Sequence, residues 1–146
     1  MLPETIGAIA YLSKFHKQLK QNIISGFNIT SAGDERCYSY VSTPSGLTIS
    51  DDAVKAAFIG LDNTKCYSYL YRGSDERQYC SPGIDLPICT FSRSKDYPEY
   101  HTNKDDFKVV TEKGLQGSFN TMKIIIDAFE LGLYPKTLVK CEPNLG

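Results

Sequence analysis

Residues 86–106 read LPICTFSRSKDYPEYHTNKDD, and this stretch decides the architecture. Its opening, LPICTFS, is a short, mainly apolar run. It has the length of a strand, and a strand apolar at successive positions is one buried on both faces. From Ser94 to Asp106 the chain turns polar and aperiodic, which predicts a long loop leaving the strand. Upstream, residues 66–71 (CYSYLY) and 37–42 (CYSYVS) read as further aromatic strands. Residues 23–30 (IISGFNIT) read as a buried strand broken by Ala32-Gly33-Asp34. Residues 43–46 (TPSG) form a turn. The polar stretch 72–85 (RGSDERQYCSPGID) predicts a second long loop.

Helical segments separate these runs. Residues 4–21 place Ile6, Ile9, Leu12, Phe15, His16 and Leu19 three or four apart on one stripe, with Lys17 and Lys20 suiting the C-terminal turn. Ser50 followed by two aspartates predicts an N-cap for a helix running to residue 61. Thr111 caps a last helix in which Leu115, Phe119, Met122, Ile126, Phe129 and Leu133 are spaced four, three, four, three, four. That stripe is expected to pack on the sheet. The order helix, strand, strand, helix, strand, strand, helix predicts an α/β fold, a mixed sheet flanked by helices on both faces in three layers. Ligands of such sheets lie beyond the carboxyl ends of strands, where the two long loops are expected to converge.

The chain has 146 residues, room for one domain, with a core expected over 1–135 and an exit segment over 136–146. A net charge of −1 makes no electrostatic case for nucleic acid or an anionic membrane surface. No run of apolar residues is long enough to span a bilayer, and residues 1–12 carry no signal-peptide pattern, so a cytoplasmic location is expected. The five cysteines are odd in number and lack CxxC spacing, which argues against a zinc ribbon or a disulfide framework. Cys80, in a polar loop, is the thiol expected to be most reactive. The chain opens on a helix with no preceding strand and stops at CEPNLG, so both ends read as interior points of a longer design and the domain as incomplete at its N-terminus.

Several residues have the chemistry for a site. His101 sits between aromatics and short polar residues that hold a tight loop; locally it reads either as a surface histidine or as a metal ligand oriented by a neighbouring carboxylate. His16 reads as a helix C-terminal histidine favoured by the dipole. Glu4, after a proline at a helix start, reads either as a capping acid or as a general base. Asp75 and Glu76 read either as a solvated turn with Arg77 or as ligands for a metal or an ammonium.

The stretches PETIGAIAYL, GSDERQYCSPGIDLP, YPEYHTNKDDFKVV and CEPNLG, in this order, resemble the zinc exopeptidases that include bacterial leucyl aminopeptidases, with glutaminyl cyclases as relatives. They are most similar to a branch of aminopeptidase-like proteins often encoded near surface-polysaccharide biosynthesis genes. The resemblance covers the C-terminal half of the peptidase-like domain. It implies a zinc-dependent hydrolase of peptide or amide bonds, with a peptidyl or amino-acyl substrate. It implies that His101, in its Tyr-His-Thr loop, is a metal ligand, that Glu4 is the general base, and that Asp75, Glu76 and Tyr100 line the substrate pocket. Two positions depart from the family's two-zinc pattern: Thr5 and Thr30 stand where acids are expected. The first histidine and the bridging aspartate of the resembled enzymes would precede Met1. The expectation for this chain is therefore weak or absent zinc binding and no peptidase activity by itself. A non-catalytic binding module that retains the fold is one alternative, and a half-domain completed by self-association is another.

Overall fold

The structure, a computed structural model, describes residues 2–132. Leu133, Cys141 and the exit segment 136–146 lie outside the described residues. The chain runs α1 (Ile6–Asn22), β1 (Gly26–Thr30), β2 (Tyr38–Val41), α2 (Ile49–Phe58), β3 (Thr64–Tyr67), α3 (Glu76–Tyr79), β4 (Ile88–Ser92) and α4 (Glu112–Leu131). The four strands form one mixed sheet in the order β1-β4-β2-β3. β4 pairs parallel to β1 and antiparallel to β2, and β2 pairs parallel to β3. The expected α/β sheet with helices on both faces is present.

The two faces follow from side-chain alternation along β4. Cys89 and Phe91 point to one side, where they pack with Tyr40 on β2, with Ala53, Val54, Ala57 and Phe58 on α2, and with Ile125 on α4. Ile88 points to the other side and packs with Leu12 on α1, Cys80 and Leu86. The same register turns Thr90 and Ser92 to the α1 side, toward the carboxyl end of the strand.

Several expectations need correcting. α2 is capped by Thr48, not Ser50: Thr48 accepts from the Asp51 N–H, and the Asp51 carboxylate answers the Thr48 N–H. Ser50 is buried instead, and its hydroxyl donates to the Pro87 carbonyl. The strand expected at 66–71 begins at Thr64 and ends at Tyr67, where a turn of 3-10 helix, Tyr69–Tyr71, takes over. The loop 72–85 contains α3. Cys80 is buried, its Sγ lies 3.0 Å from the Ile88 carbonyl, and burial pushes its thiol up to about 11, so it is not a reactive loop thiol.

The largest correction concerns α4. The face it buries is Gly114, Ser118, Thr121 and Ile125, while Leu115, Phe119 and Ile126 are at least half exposed; Met122 and Phe129 flank the core. Close approach decides this register. A Cβ on Gly114 would meet the Gly33 carbonyl oxygen at 1.9 Å, and the Ser118 hydroxyl donates to the Ala32 carbonyl at 2.6 Å. Only small residues admit the helix to the 32–34 turn, so backbone proximity outweighs the apolar stripe. On α1, likewise, Ala8 and Leu12 are buried whereas Ile6, Ile9 and Phe15 of the expected stripe are exposed.

Candidate active site

The parallel pairing of β1 with β4 brings Thr30 and Ser92 side by side at one edge of the sheet. Beyond that edge opens a cavity of about 550 Å³. Thr30, Thr90 and Ser92 give it a hydroxyl floor, and Val41 adds an apolar patch. Both long loops reach it: Gly73, Ser74 and Glu76 come from one, and Lys95 to Pro98 with Tyr100 from the other. Glu4 borders it from the start of α1.

Glu76 is almost fully buried, at 1% exposure. A carboxylate that deep requires donors. The N–H groups of Gly73 (2.7 Å) and Ser74 (3.1 Å) point at it, and Asn28 Nδ2 donates to Oε2 at 3.2 Å. Among the described residues no cation pairs with it. Asn28 and Thr90, which hold this end of the cavity, were not singled out from sequence. The signal that could have found them is the period of two, since Asn28 and Thr30 on β1 share a face with Thr90 and Ser92 on β4.

Glu4 is exposed, and its Oε1 accepts from the Ser74 hydroxyl at 2.6 Å. Thr5 has φ +62°, and the Ile6 N–H donates to the Glu4 carbonyl at 2.7 Å, closing a rare γ-turn of positive φ. Asp75 does not border the cavity. Its Oδ1 accepts the Thr5 N–H at 2.7 Å, and Arg77 Nη2 donates to the Thr5 hydroxyl at 3.3 Å. The 74–77 segment therefore grips the Glu4–Thr5 turn from two sides.

His101 has φ +59°, in a turn in which Thr102 donates both its N–H and its hydroxyl to the Glu99 carbonyl. The imidazole is stacked on the Tyr100 ring, centroids 3.9 Å apart, and is exposed. Tyr100 borders the cavity, packed edge-on against Tyr97. Tyr97 donates its hydroxyl to Asp105 at 2.8 Å. Two guanidinium bonds of 3.1 Å from Arg36 to Glu99 tie the loop down, and Arg36 is in turn bound to buried Asp34. Burial raises the Asp34 pKa, but bonds from Ser94 and Arg36 outweigh it and leave the carboxyl below its ordinary value.

Structural zinc takes four protein ligands, and catalytic zinc three with a water. No group of three or more histidine, cysteine, aspartate or glutamate side chains able to hold a metal ion occurs among the described residues. The described residues do not by themselves fit a zinc centre.

The fold, with its loop-lined cavity, is an α/β domain of the kind found in aminopeptidases. Solved structures share the fold. The crystal structure of a Clostridium acetobutylicum protein named as a peptidase superposes with a TM-score of 0.86 at 34% identity, covering 99% of this chain and 35% of that one. An aminopeptidase from Aneurinibacillus sp. strain AM-1 gives 0.73 at 17% identity over 90% of this chain and 33% of its own. A zinc aminopeptidase from Bacillus subtilis gives 0.69 at 16% identity over 83% and 32%. Residues 1–132 match the family described as Domain of unknown function (DUF4910), and the chain belongs to that family. A Clostridium acetobutylicum relative, named as a polysaccharide biosynthesis protein with an aminopeptidase-like domain, is 36% identical over 151 residues. That match covers 99% of this chain, which spans 34% of the relative's length. Among the described residues, no helix is long and apolar enough to cross a membrane.

Proposed function

We propose that this chain supplies one wall of an aminopeptidase-like site that hydrolyses a peptide or amino-acyl amide, and that by itself it is inactive. The observation that carries the reading is the meeting of Glu4 and the 73–76 loop at one cavity, with the Ser74 hydroxyl bound to the Glu4 carboxylate. An exposed carboxylate fixed at one oxygen keeps the other free to take a proton from an attacking water, the part of a general base. Tyr100, with Tyr97, offers an aromatic wall for the apolar part of a substrate. The buried Glu76 carboxylate, held by N–H donors and unpaired by any described cation, suits the substrate's ammonium end. Asp75 acts one step back, through Thr5. In this reading zinc belongs to the intact protein, where His101 is one ligand and the others come from outside this chain.

A second reading, a non-catalytic binding module, draws on Thr30, whose hydroxyl borders the cavity where the resemblance calls for an acid. One pair of measurements separates the two. Release of p-nitroaniline from leucine p-nitroanilide by the intact polypeptide carrying this segment should fall about 10²-fold or more in kcat on Glu4→Gln. Zinc calorimetry on the same polypeptide should show heat that is lost on His101→Ala. Unchanged turnover in Glu4→Gln sinks the base assignment. Negligible heats in both proteins leave the binding module.

A further inference from the structure

Behind the 72–77 loop lies a second cavity, of about 520 Å³, separate from the one bordered by Glu4 and Tyr100. The loop divides its charges between the two. Glu76 borders the first cavity, and Arg72 and Arg77 border the second. Neither arginine forms an ion pair among the described residues. Of the five N–H donors on each guanidinium, Arg72 engages one, to the Tyr69 carbonyl, and Arg77 two, to the Ser74 carbonyl and the Thr5 hydroxyl. Most of their donors remain available, in a protein whose net charge is −1.

Tyr69 borders the same cavity as the two arginines. Arg72 lies over Tyr69, 4.7 Å from the centroid. Burial raises the Tyr69 phenol's pKa, and the charges of Arg72 and Arg77 both act against that rise. The rest of the lining is largely apolar, with Leu86 and Pro87. One acid, Asp85, also borders the cavity; it accepts the Gly83 N–H at 3.0 Å and lies 3.9 Å from Lys20 Nζ, so its charge is answered locally.

We propose that this second cavity binds a phosphate monoester, its head between Arg72 and Arg77 and an apolar or aromatic body against Tyr69, Leu86 and Pro87. A tetrahedral head suits the site because two guanidinia border the one cavity. A carboxylate has two oxygens and is filled by one bidentate fork, whereas a phosphate offers three and carries the charge for both. The apolar lining selects an ester over the free ion.

The test uses phenyl phosphate, inorganic phosphate and benzoate at constant ionic strength, followed by calorimetry and by amide NMR shifts. Phenyl phosphate is expected to bind this chain at millimolar or tighter concentration, shift the amides of Tyr69 and Ser81, and bind at least about tenfold more tightly than either other probe. Arg72→Gln, at an exposed side chain, should weaken it about tenfold with the thermal midpoint unchanged. Because Arg77 also holds the Thr5 turn, Arg77→Lys is the second variant; it keeps the charge, loses the fork, and should weaken binding severalfold. Equal affinity for benzoate overturns the phosphate head, and equal affinity for inorganic phosphate overturns the apolar body. No binding, or binding unchanged in both variants, overturns the site. None of these readouts depends on hydrolysis, so they stand apart from the proposed peptidase chemistry.

Discussion

The Thr5 N–H donates to Asp75 Oδ1 at 2.7 Å, joining residues 70 positions apart and holding a β-branched residue at φ +62°. A non-glycine residue there carries strain of about 1–3 kcal/mol that the surroundings must sustain. Asp75→Ala removes the acceptor and should lower the unfolding free energy by about 1–2 kcal/mol. Thr5→Gly should raise it by up to about 1 kcal/mol, because glycine adopts positive φ without steric cost. Urea titrations of the two variants check the pair. If Thr5→Gly is destabilising and Asp75→Ala is neutral, the turn is not held by this bond.

Asp51 gives a pH prediction. It is fully buried and accepts from the Thr43 N–H at 2.9 Å, the Thr48 N–H at 2.8 Å, both threonine hydroxyls and the Tyr40 hydroxyl. Burial raises its pKa, but the bonds from Thr43, Tyr40 and Thr48 outweigh burial and leave it below the ordinary 3.8. A depressed carboxyl adds stability that is present in full above the unfolded-state value and is lost as pH falls through the folded-state value. Stability should therefore decline on acidification below about pH 4. Asp51→Asn should lower stability at pH 7 by about 2–3 kcal/mol and flatten that acid limb. An acid limb as steep as the wild type's would assign the titration to other groups.

What the sequence reveals and what it conceals divide along physical lines. The strand runs at 37–42 and 86–92 are legible because they are short, rich in aromatic and apolar residues, and bounded by turn-forming residues. The convergence of the two long loops is legible because strand ends dictate where they lead. The face of α4 is not, because its register depends on how near Gly114 comes to Gly33, a contact between segments about eighty residues apart. Periodicity finds a stripe but not what faces it. Nor does pattern announce that Thr48 and Asp51 share a capping box while Ser50 turns inward. At the site, Glu4, Glu76 and Tyr100, singled out by residue type, do border one cavity. Asp75 gripping Thr5, and Arg72 facing away from Glu76, are long-range geometry.

The cysteines should separate sharply by reactivity. Cys66 is exposed on β3, whereas burial pushes the Cys80 thiol up to about 11 and raises that of Cys89 further. At pH 7.5, brief treatment of the folded chain with iodoacetamide should alkylate Cys66 and leave Cys80 and Cys89 unmodified, while all three react in urea. Peptide mass mapping reads the outcome. Rapid native labelling of Cys80 would contradict its burial.

The outward stripe of α4 makes the last prediction. Leu115 is 50% exposed, Phe119 65% and Ile126 54%, and Phe107 stands beside them at 92%. α1 adds Ile6 at 66% and Ile9 at 50%. Apolar residues aligned along a helix and open to water favour association. A half-domain completed by a second copy predicts concentration-dependent self-association through these residues. Phe119→Glu should shift the chain toward monomer in light scattering at high concentration, with stability changed by less than about 0.5 kcal/mol because the side chain contributes little to this chain's core. Gly114→Ala is the contrasting variant. Its Cβ would press on the Gly33 carbonyl, so it should cost about 1–3 kcal/mol of stability whatever the state of association. A wild-type chain that stays monomeric at high concentration removes self-association as the route by which the domain is completed.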